Sequence, residues 1–332
     1  MDKELNKDID KTSVKVSDKK WDKKWDKKSD KEGNQKEKQA GKTGRQPSEW
    51  PRHGIQLLWA LITNSYLAGF LQGRIYEGKL KNLCVPGLNC YSCPGALGSC
   101  PIGALQAVIG SRNYQWAFYI SGFLIFVGAL VGRFVCGFLC PFGLIQDLLH
   151  KIPFPKKLRT FRSDRLLRKL KYAILILFVI LLPMFLTDIL GQGSPWFCKL
   201  ICPAGTLEGG IPLVLLNSAM RSAIGWLYAW KNVLLIAIIL ASIVIYRPFC
   251  KYLCPLGAVY SVFNPISVFR YRTDPDKCVS CGACARACKM NCDPVKNSND
   301  PECIRCGLCK KSCPTGAISC GWKERDQESL SD

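Results

Sequence analysis

The sequence predicts a membrane α-helical domain of about four transmembrane helices, built as a duplicated hairpin, followed by a small α+β domain. Four apolar segments alternate with stretches rich in Lys and Arg, which is the pattern of a multi-pass membrane protein. A motif of one arginine, two cysteines and a proline follows two of these segments. A denser cysteine pattern then occurs twice near the C-terminus.

The two ends of the chain differ in composition from the rest. The chain has 332 residues and a formal charge of +21, from 46 Lys and Arg against 25 Asp and Glu. Residues 1–50 are rich in Lys, Asp, Ser and Gln and poor in aliphatic residues, so they cannot bury enough apolar surface to offset the entropy of ordering. We expect a disordered charged tail at 1–50 and a short one at 321–332.

The positive charge is compatible with two kinds of partner. A strongly basic chain can bind nucleic acid, but here long uncharged apolar segments separate the basic stretches. This arrangement favours a membrane, because Lys and Arg gather in the cytoplasmic loops of membrane proteins. We therefore expect a membrane and no nucleic acid among the partners.

A membrane domain is predicted over residues 51–265. Crossing the hydrocarbon takes about 20 helical residues. Four segments come near that length: Gly54 to Gly73, Tyr114 to Gly132, Tyr172 to Thr187 and Asn232 to Tyr246. The last two need extended ends in order to span. Pro183 in the third segment predicts a kink, because proline lacks the N–H that a helix interior uses.

The charge of the loops predicts the orientation. Residues 151–171 are dense in Lys and Arg, whereas loops 74–113 and 188–231 carry far fewer positive charges. The positive-inside rule then gives a multi-pass protein of the cell membrane with both termini in the cytoplasm. The moderately apolar segment 205–222 is interpreted as re-entrant or interfacial, because a fifth span would put the C-terminal domain outside the cell.

The membrane domain repeats one cysteine motif. Arg-x2-Cys-x3-Cys-Pro begins at Arg133 and again at Arg247, each time at the predicted inner end of a span. Two cysteines four residues apart lie on one face of a helix, and the following proline suits the first position of a new helix. Two such pairs supply four thiols, enough for one metal centre. The predicted inner set is Cys136, Cys140, Cys250 and Cys254.

The predicted outer loops carry a further group of cysteines. Cys198 and Cys202 form a third Cys-x3-Cys-Pro. They are expected to combine with two of the four cysteines in loop 74–113, which are Cys84, Cys90, Cys93 and Cys100. For both sets the alternatives to a metal centre are redox-active dithiols and small buried residues.

The C-terminal cysteines give the most specific signal in the chain. Cys-x2-Cys-x2-Cys-x3-Cys occurs at 278–288 and again 25 residues later at 303–313, which is the spacing of a bacterial ferredoxin with two [4Fe–4S] clusters. In such proteins the fourth cysteine of each run binds the other cluster. The predicted ligands are Cys278, Cys281, Cys284 and Cys313 for one cluster, and Cys303, Cys306, Cys309 and Cys288 for the other. A ferredoxin-like domain is expected over 266–320.

The C-terminal cysteines are also compatible with zinc, and the first run departs from the motif at one position. Zinc also binds Cys-x2-Cys, but zinc sites usually separate two such pairs by a long spacer. Lys289 follows Cys288 where the pattern expects proline, and Cys292 lies four residues beyond Cys288. Cys292 is interpreted as a spare or an alternative ligand, and Cys320 as a small buried residue.

Taken together, the cysteine motifs resemble a known family. CGFLCPFG at 136–143, CKYLCPLG at 250–257 and the double run at 278–314 are similar to membrane-anchored polyferredoxins of the NapH/MauN type. The resemblance covers about residues 52–320 and implies quinol oxidation or related electron delivery across the membrane to a redox partner. The cysteine-rich outer loop and the third Cys-x3-Cys-Pro depart from that family and indicate a variant branch.

We expect an iron–sulfur electron carrier or a subunit of a redox complex rather than a stand-alone enzyme. It would relay single electrons between a cytoplasmic or quinone pool and a redox partner in the membrane or at its outer face. The alternative is a maturation or sensor protein that uses its thiols for metal handling or thiol–disulfide exchange. No nucleotide-binding motif or hydrolytic triad supports another class of enzyme.

Overall fold

The computed structural model describes residues 48–111, 114–155, 157–159, 163–186, 193–222 and 224–322. Within these ranges the protein is mostly helical, with one two-stranded sheet near the C-terminus. The tail predicted at 1–50 lies outside the described residues except for its last three, and the tail predicted at 321–332 does so except for its first two.

Four long helical rods form the body of the protein, and each overlaps one predicted span. They are Trp50–Thr63, Tyr114–Val131, a composite rod, and Trp226–Val244. The composite rod consists of Asp164–Ile174, the π-helical segment Leu175–Leu181 and Leu182–Phe185. The π-helical segment ends two residues before Pro183, and such segments are a known cause of helix bending. This irregularity lies where the proline predicts a kink.

One rod is long and apolar enough to cross a membrane by itself. Among the described residues only Trp226–Val244 passes that test, and the apolar helices Pro101–Ser111, Phe118–Val131 and Gly205–Leu216 are shorter. Of the four predicted transmembrane helices, one is therefore long and apolar enough in the described residues to span a membrane.

Shorter helices make up the rest of the helical structure, and five of the twenty cysteines lie within them: Cys136, Cys198, Cys250, Cys284 and Cys309. These helices are Leu67–Gln72, Pro101–Ser111, Phe134–Phe138, Pro141–Lys151, Trp196–Leu200, Ile211–Leu216, Ser218–Ser222, Pro248–Tyr252, Pro255–Phe263, Ala283–Ala287 and Leu308–Lys311, with a 3-10 turn Lys79–Asn82 and a π-helical segment Gly205–Gly210.

The Cys-Pro pairs mark breaks between these helices. Cys140 and Cys254 are extended, with ψ of 112° at both, and the next helix begins at the proline that follows each of them. The prediction that proline starts a new helix is confirmed. The prediction that both cysteines of a Cys-x3-Cys lie on one helical face is wrong, because a residue before proline avoids the helical conformation.

The C-terminal domain contains the sheet. Strand β1 (Phe269–Thr273) pairs antiparallel with strand β2 (Ile318–Trp322), and Tyr271 lies opposite Cys320. Two short helices, Ala283–Ala287 and Leu308–Lys311, lie between the strands in sequence. The prediction of a small α+β domain is confirmed in outline, and Cys320 is half-buried at its strand position.

The helical and C-terminal domains share one hydrophobic core. Its buried members include Ile102 and Phe142 from the helical domain and Met290 and Ile304 from the C-terminal domain. A smaller cluster around Tyr271 lies within the C-terminal domain. The C-terminal domain is thus packed onto the helices along a continuous apolar contact.

Buried ion pairs fix this packing. Glu302 of the C-terminal domain contacts Lys171, and its Oε2 lies 2.8 Å from Nη1 of Arg133. Arg305, also from the C-terminal domain, donates to the carbonyl of Val131 at 2.9 Å. Because a buried charge without a partner is costly, these contacts favour one orientation of the domain.

A second buried cluster joins the first rod to the repeated motifs. Oδ2 of Asp147 accepts from Arg52 at 2.7 Å, and its Oδ1 accepts from Arg247 at 2.7 Å. All three side chains are buried. Burial alone would raise the pKa of the Asp147 carboxyl, but the two guanidinium groups outweigh burial and hold this pKa well below its usual range.

We predict that Asp147→Asn lowers the free energy of unfolding by about 3–5 kcal/mol, because two buried guanidinium groups lose the carboxylate between them. Thermal unfolding in detergent at neutral pH should show a midpoint several degrees lower. The contribution of Asp147 is present above its unfolded pKa of about 3.9 and fades as the pH falls below it. The wild type and the variant should therefore converge in acid.

Asp276→Asn is the matched control, because Asp276 is an exposed carboxylate of the same protein. Its midpoint should differ from wild type by the equivalent of less than about 0.5 kcal/mol. Equal effects of the two substitutions would show that the Asp147 cluster does not hold the helices together.

Candidate iron–sulfur sites

The first C-terminal cavity combines three cysteines of one run with the fourth of the other. It is lined by Cys278, Cys281, Cys284 and Cys313. Cys281 is exposed, so this cavity reaches the protein surface. Gly282 has φ of +67°, a conformation that glycine adopts without a steric cost. The tight loop around this cavity depends on that glycine.

The second C-terminal cavity lies against the helical domain. It is lined by Cys288, Cys303, Cys306 and Cys309, with Cys292 beside them. Gly307 in its loop has φ of +81°. Met290 and Ile304 complete the wall and also belong to the core shared with the helices. The grouping in space is therefore the interleaved one that the spacing predicts, with one additional thiol.

The four cysteines of the predicted inner set are buried together in the helical domain. They are Cys136, Cys140, Cys250 and Cys254, and all four belong to the same buried cluster. Gln146 Nε2 lies 3.2 Å from Cys250 Sγ, and the Gly257 N–H lies 3.4 Å from Cys254 Sγ. Such N–H groups stabilise a thiolate.

The arginines of the repeated motif exchange partners between the two halves of this domain. Arg133 donates to the carbonyl of Cys250 at 3.2 Å, and Arg247 donates to the carbonyl of Cys136 at 2.5 Å. The two motifs are 114 residues apart at each position (247 − 133, 250 − 136, 254 − 140). Both guanidinium groups are fully buried, so positive charge from each half lies beside the inner cysteines.

A cavity of about 250 Å³ contains the predicted outer set. The cysteines that line it are Cys90, Cys100, Cys198 and Cys202. Cys84 and Cys93 are buried but do not line this cavity. Lys231 also lines it, and its Nζ donates to the carbonyl of Cys198 at 3.2 Å. Two of the four cysteines in loop 74–113 are thus brought to the Cys198–Cys202 pair.

Glycines leave space beside the sulfurs of the outer set. Four Cys-Pro pairs, which begin at Cys100, Cys140, Cys202 and Cys254, are each followed by one residue and a glycine. These glycines are Gly103, Gly143, Gly205 and Gly257. A Cβ on Gly205 would lie 3.6 Å from Cys90 Sγ, and a Cβ on Gly103 would lie 3.8 Å from Cys198 Sγ. Four thiols around space that a larger side chain would fill are the donor set of a [4Fe–4S] cluster. The residues present therefore fit this group.

Two glutamines contact cysteine sulfurs in equivalent ways. Gln106 Nε2 lies 3.4 Å from Cys198 Sγ, as Gln146 Nε2 lies 3.2 Å from Cys250 Sγ. Each glutamine stands six residues after the cysteine of its own Cys-Pro pair. The recurring Cys-Pro-x-Gly-x-x-Gln at 100–106 and 140–146 is the sequence signal for these residues, which cysteine spacing alone does not reveal.

Two other cysteine groups adjoin the inner set. Tyr260 belongs to the buried cluster that also contains Cys100 of the outer set and Cys136 of the inner set. Gly137 of the inner motif packs directly on the carbonyl of Ile304, which lines the second C-terminal cavity. The inner set thus neighbours both the second C-terminal cavity and the outer set.

The thiols of the outer cavity ionise with difficulty. Burial and the neighbouring Cys100 raise the pKa of Cys198 to about 12, and burial and the Glu208 carboxylate raise the pKa of Cys90 to about 12. Thiol–disulfide exchange needs a thiolate, whereas a bound metal supplies the positive charge that deprotonates a thiol. A thiolate at these positions would therefore need a compensating positive charge, which a metal centre would supply.

A site for one isolated metal ion is a different arrangement. Among the residues that the structure describes, no three His, Cys, Asp or Glu side chains lie close enough together to hold a single ion. In a [4Fe–4S] cluster the four cysteine thiolates hold an inorganic core of four iron atoms rather than one ion.

Known families match these same segments. A family described as a 4Fe-4S binding domain matches residues 114–162 and again 228–273, and each copy contains one of the inner motifs. A second family with that description matches residues 271–292 and 299–319, which contain the two C-terminal runs.

The relatives agree with the family matches. An uncharacterized protein of Methanocaldococcus jannaschii is 31% identical over 172 residues, covering 50% of this chain and 63% of the relative. The methylamine utilization ferredoxin-type protein MauN of Paracoccus denitrificans is 28% identical over 173 residues, 52% of each chain. The ferredoxin-type protein NapH of Haemophilus influenzae is 25% identical over 262 residues, 76% of this chain and 80% of the relative.

The matches to several relatives are partial, since the aligned part spans about half of their length. No solved structure matches the chain. The repeated 4Fe-4S binding domains and the relatives named as ferredoxin-type proteins identify the chain as a 4Fe-4S polyferredoxin of the NapH/MauN type.

Proposed function

We propose that this protein is a membrane-bound electron conduit with four [4Fe–4S] sites in series. The observation that carries the proposal is the presence of four groups of at least four cysteines, one of them reaching the protein surface at Cys281. A [4Fe–4S] cluster supplies a one-electron carrier whose potential the surrounding protein sets.

The four rods offer an apolar surface to lipid. Each has large apolar side chains that are more than half exposed, for example Leu58, Phe118, Phe185 and Trp226. Such a surface is unfavourable in water, whereas it is the surface that a bilayer solvates. Trp226 and Trp230 mark one end of the last rod, where tryptophan suits the membrane interface. We place the protein in the cell membrane, with four spans and cytoplasmic termini as the loop charges predict.

The proposed ligands follow from the grouping of the thiols. The sets are Cys278, Cys281, Cys284 and Cys313; Cys303, Cys306, Cys309 and Cys288; Cys136, Cys140, Cys250 and Cys254; and Cys90, Cys100, Cys198 and Cys202. Cys84 and Cys93 are left out, because they do not line the outer cavity.

The residues around the inner set would stabilise the negative charge of a cluster bound there. Arg133 and Arg247 bring buried positive charge to the cysteine backbone, and Gln146 donates to the sulfur of Cys250. Hydrogen bonds and charge near the sulfurs set the reduction potential. We propose that these side chains make the inner site easier to reduce than an apolar pocket would.

The two ends of the series suggest the partners. The exposed Cys281 marks where a soluble redox protein in the cytoplasm would exchange electrons. The outer cavity would serve quinone or a redox protein at the outer face. The protein would act as an electron carrier or as a subunit of a redox complex.

A maturation or sensor protein working by thiol–disulfide exchange is the alternative. The raised pKa values of Cys90 and Cys198 disfavour it, because the attacking group must be a thiolate. Reduction of the clusters by a quinol would support the conduit. Disulfide exchange with a partner, with no response to quinol, would support the alternative.

The central test is anaerobic purification in detergent, with iron and sulfide counted and EPR recorded during a redox titration. We expect about sixteen iron atoms per chain if all four sites are filled, and about eight if only the C-terminal sites are. A count of eight would contradict the two sites in the helical domain. Iron-poor protein that is soluble without detergent would contradict the whole proposal.

Cysteine substitutions in one loop test the outer site. We predict that Cys90→Ala lowers the iron content by about four atoms per chain, because the outer cluster loses a ligand. Cys93→Ala is the matched control, since Cys93 is buried three residues away but does not line the cavity. Equal iron contents in the two variants would refute the assigned ligand set.

Substitution of a glutamine tests the tuning of the inner site. Gln146→Leu should lower the potential of one cluster, because the more negative reduced form loses a hydrogen bond to sulfur. A tenfold change in the ratio of oxidised to reduced cluster corresponds to about 59 mV for one electron. Gln56→Leu is the control, since Gln56 is buried and contacts His53 rather than a sulfur. An unchanged redox titration curve for Gln146→Leu would show that Gln146 does not tune the potential of the inner cluster.

A further inference from the structure

We propose that Cys292 is an alternative fourth ligand at the second C-terminal site and can take the place of Cys288. Five thiols line this cavity, whereas a cubane takes four. Cys303, Cys306 and Cys309 come from one tight loop and account for three corners. Cys288 and Cys292 both remain for the fourth. This inference rests on the proposal that the cavity holds a [4Fe–4S] cluster.

The two candidate ligands are in direct contact. The backbone N–H of Cys292 donates to Cys288 Sγ at 3.3 Å. Cys292 is buried, and the Met290 carbonyl lies 3.9 Å from its sulfur. A buried thiol beside a ligand sulfur, in the wall of the same cavity, is positioned to replace that ligand.

A tight turn produces this contact. The N–H of Asn291 donates to the carbonyl of Cys288 at 3.3 Å, and Asn291 has φ of +59°. Asparagine is one of the few residues that adopts this left-handed conformation readily. The turn folds the chain back on itself, so that Cys292 returns to Cys288.

The residue after Cys288 is compatible with the same geometry. Lys289 stands there, and its Nζ forms an ion pair with Glu49 at 2.8 Å, which ties the turn to the first helical rod. The first run therefore departs from the second, in which Pro314 follows Cys313. The departure from the usual motif and the additional cysteine occur within one turn.

The first C-terminal cavity is lined by four thiols rather than five. Its four cysteines are Cys278, Cys281, Cys284 and Cys313. The sulfur of Cys313 contacts the hydroxyl of Thr315 at 3.6 Å. Among the described residues that line this cavity, no fifth cysteine is present. The two cavities thus form a natural pair for comparison.

The exchange balances without an external reactant. With a cluster bound, the bond between iron and Cys288 Sγ would break and a bond between iron and Cys292 Sγ would form. The proton of the Cys292 thiol would pass to the departing Cys288 thiolate. No electron is gained or lost, and the number of thiolates at the cluster stays at four.

The experiment uses the full chain, loaded with iron and sulfide under anaerobic conditions, with iron counted and EPR spectra recorded. The variants are Cys288→Ala, Cys292→Ala, the double variant and Cys313→Ala. We expect each single variant at 288 or 292 to keep the four-iron signal of the second site, with an altered spectrum in Cys288→Ala. The double variant should lose that signal.

Cys313→Ala is the matched control, because it removes the fourth ligand of the site that has no spare thiol. It should lose the four-iron signal of its own site in a single step. If Cys288→Ala loses iron, or folded protein, to the same extent as Cys313→Ala, the proposal is overturned. Wild-type protein without iron in the C-terminal domain would instead contradict the proposed function itself.

Discussion

The pair of arginines that cross between the two halves of the helical domain is the interaction on which the rest of the structure depends. Arg133 and Arg247 are fully buried, and each reaches the cysteine backbone of the other half. A buried guanidinium group needs a counter-charge. Arg133 obtains it from Glu302 of the C-terminal domain and Arg247 from Asp147. The same two side chains therefore join the halves, dock the C-terminal domain and place positive charge beside the proposed inner site.

The Cys-Pro pairs provide the second constraint, and it acts locally. Proline starts a helix well but excludes the residue before it from helical geometry. The cysteine is therefore held in an extended break, with the N–H groups of the new helix near its sulfur, as for Cys254 and Gly257. Glycine two residues after the proline leaves space beside the outer sulfurs at Gly103 and Gly205, and it lets an arginine side chain approach at Gly143 and Gly257. Repeating this unit gives chemically similar sites without repeating the rest of the sequence.

The loop that carries Cys84 to Cys100 links the sites of the helical domain. Its backbone packs on the inner motif, where Gly87 approaches the carbonyl of Leu139. The Tyr260 hydroxyl donates to the Pro86 carbonyl at 3.0 Å in the same region. A loop predicted to lie at the outer face thus enters the core and meets the inner motif. This packing brings the proposed outer and inner sites into succession and explains why so cysteine-rich a loop is largely buried.

Spacing along the chain was enough to group the eight C-terminal cysteines and to start helices at the prolines, because both depend on local turn geometry within a few residues. Tertiary structure alone decided which loop cysteines join Cys198 and how Gln146 meets Cys250. The contact between Gln146 and Cys250 spans 104 residues, and no local spacing records which distant segments will pack together. For Cys292 both contributed. The sequence showed an additional cysteine near the motif, and the turn at Asn291 placed it against Cys288.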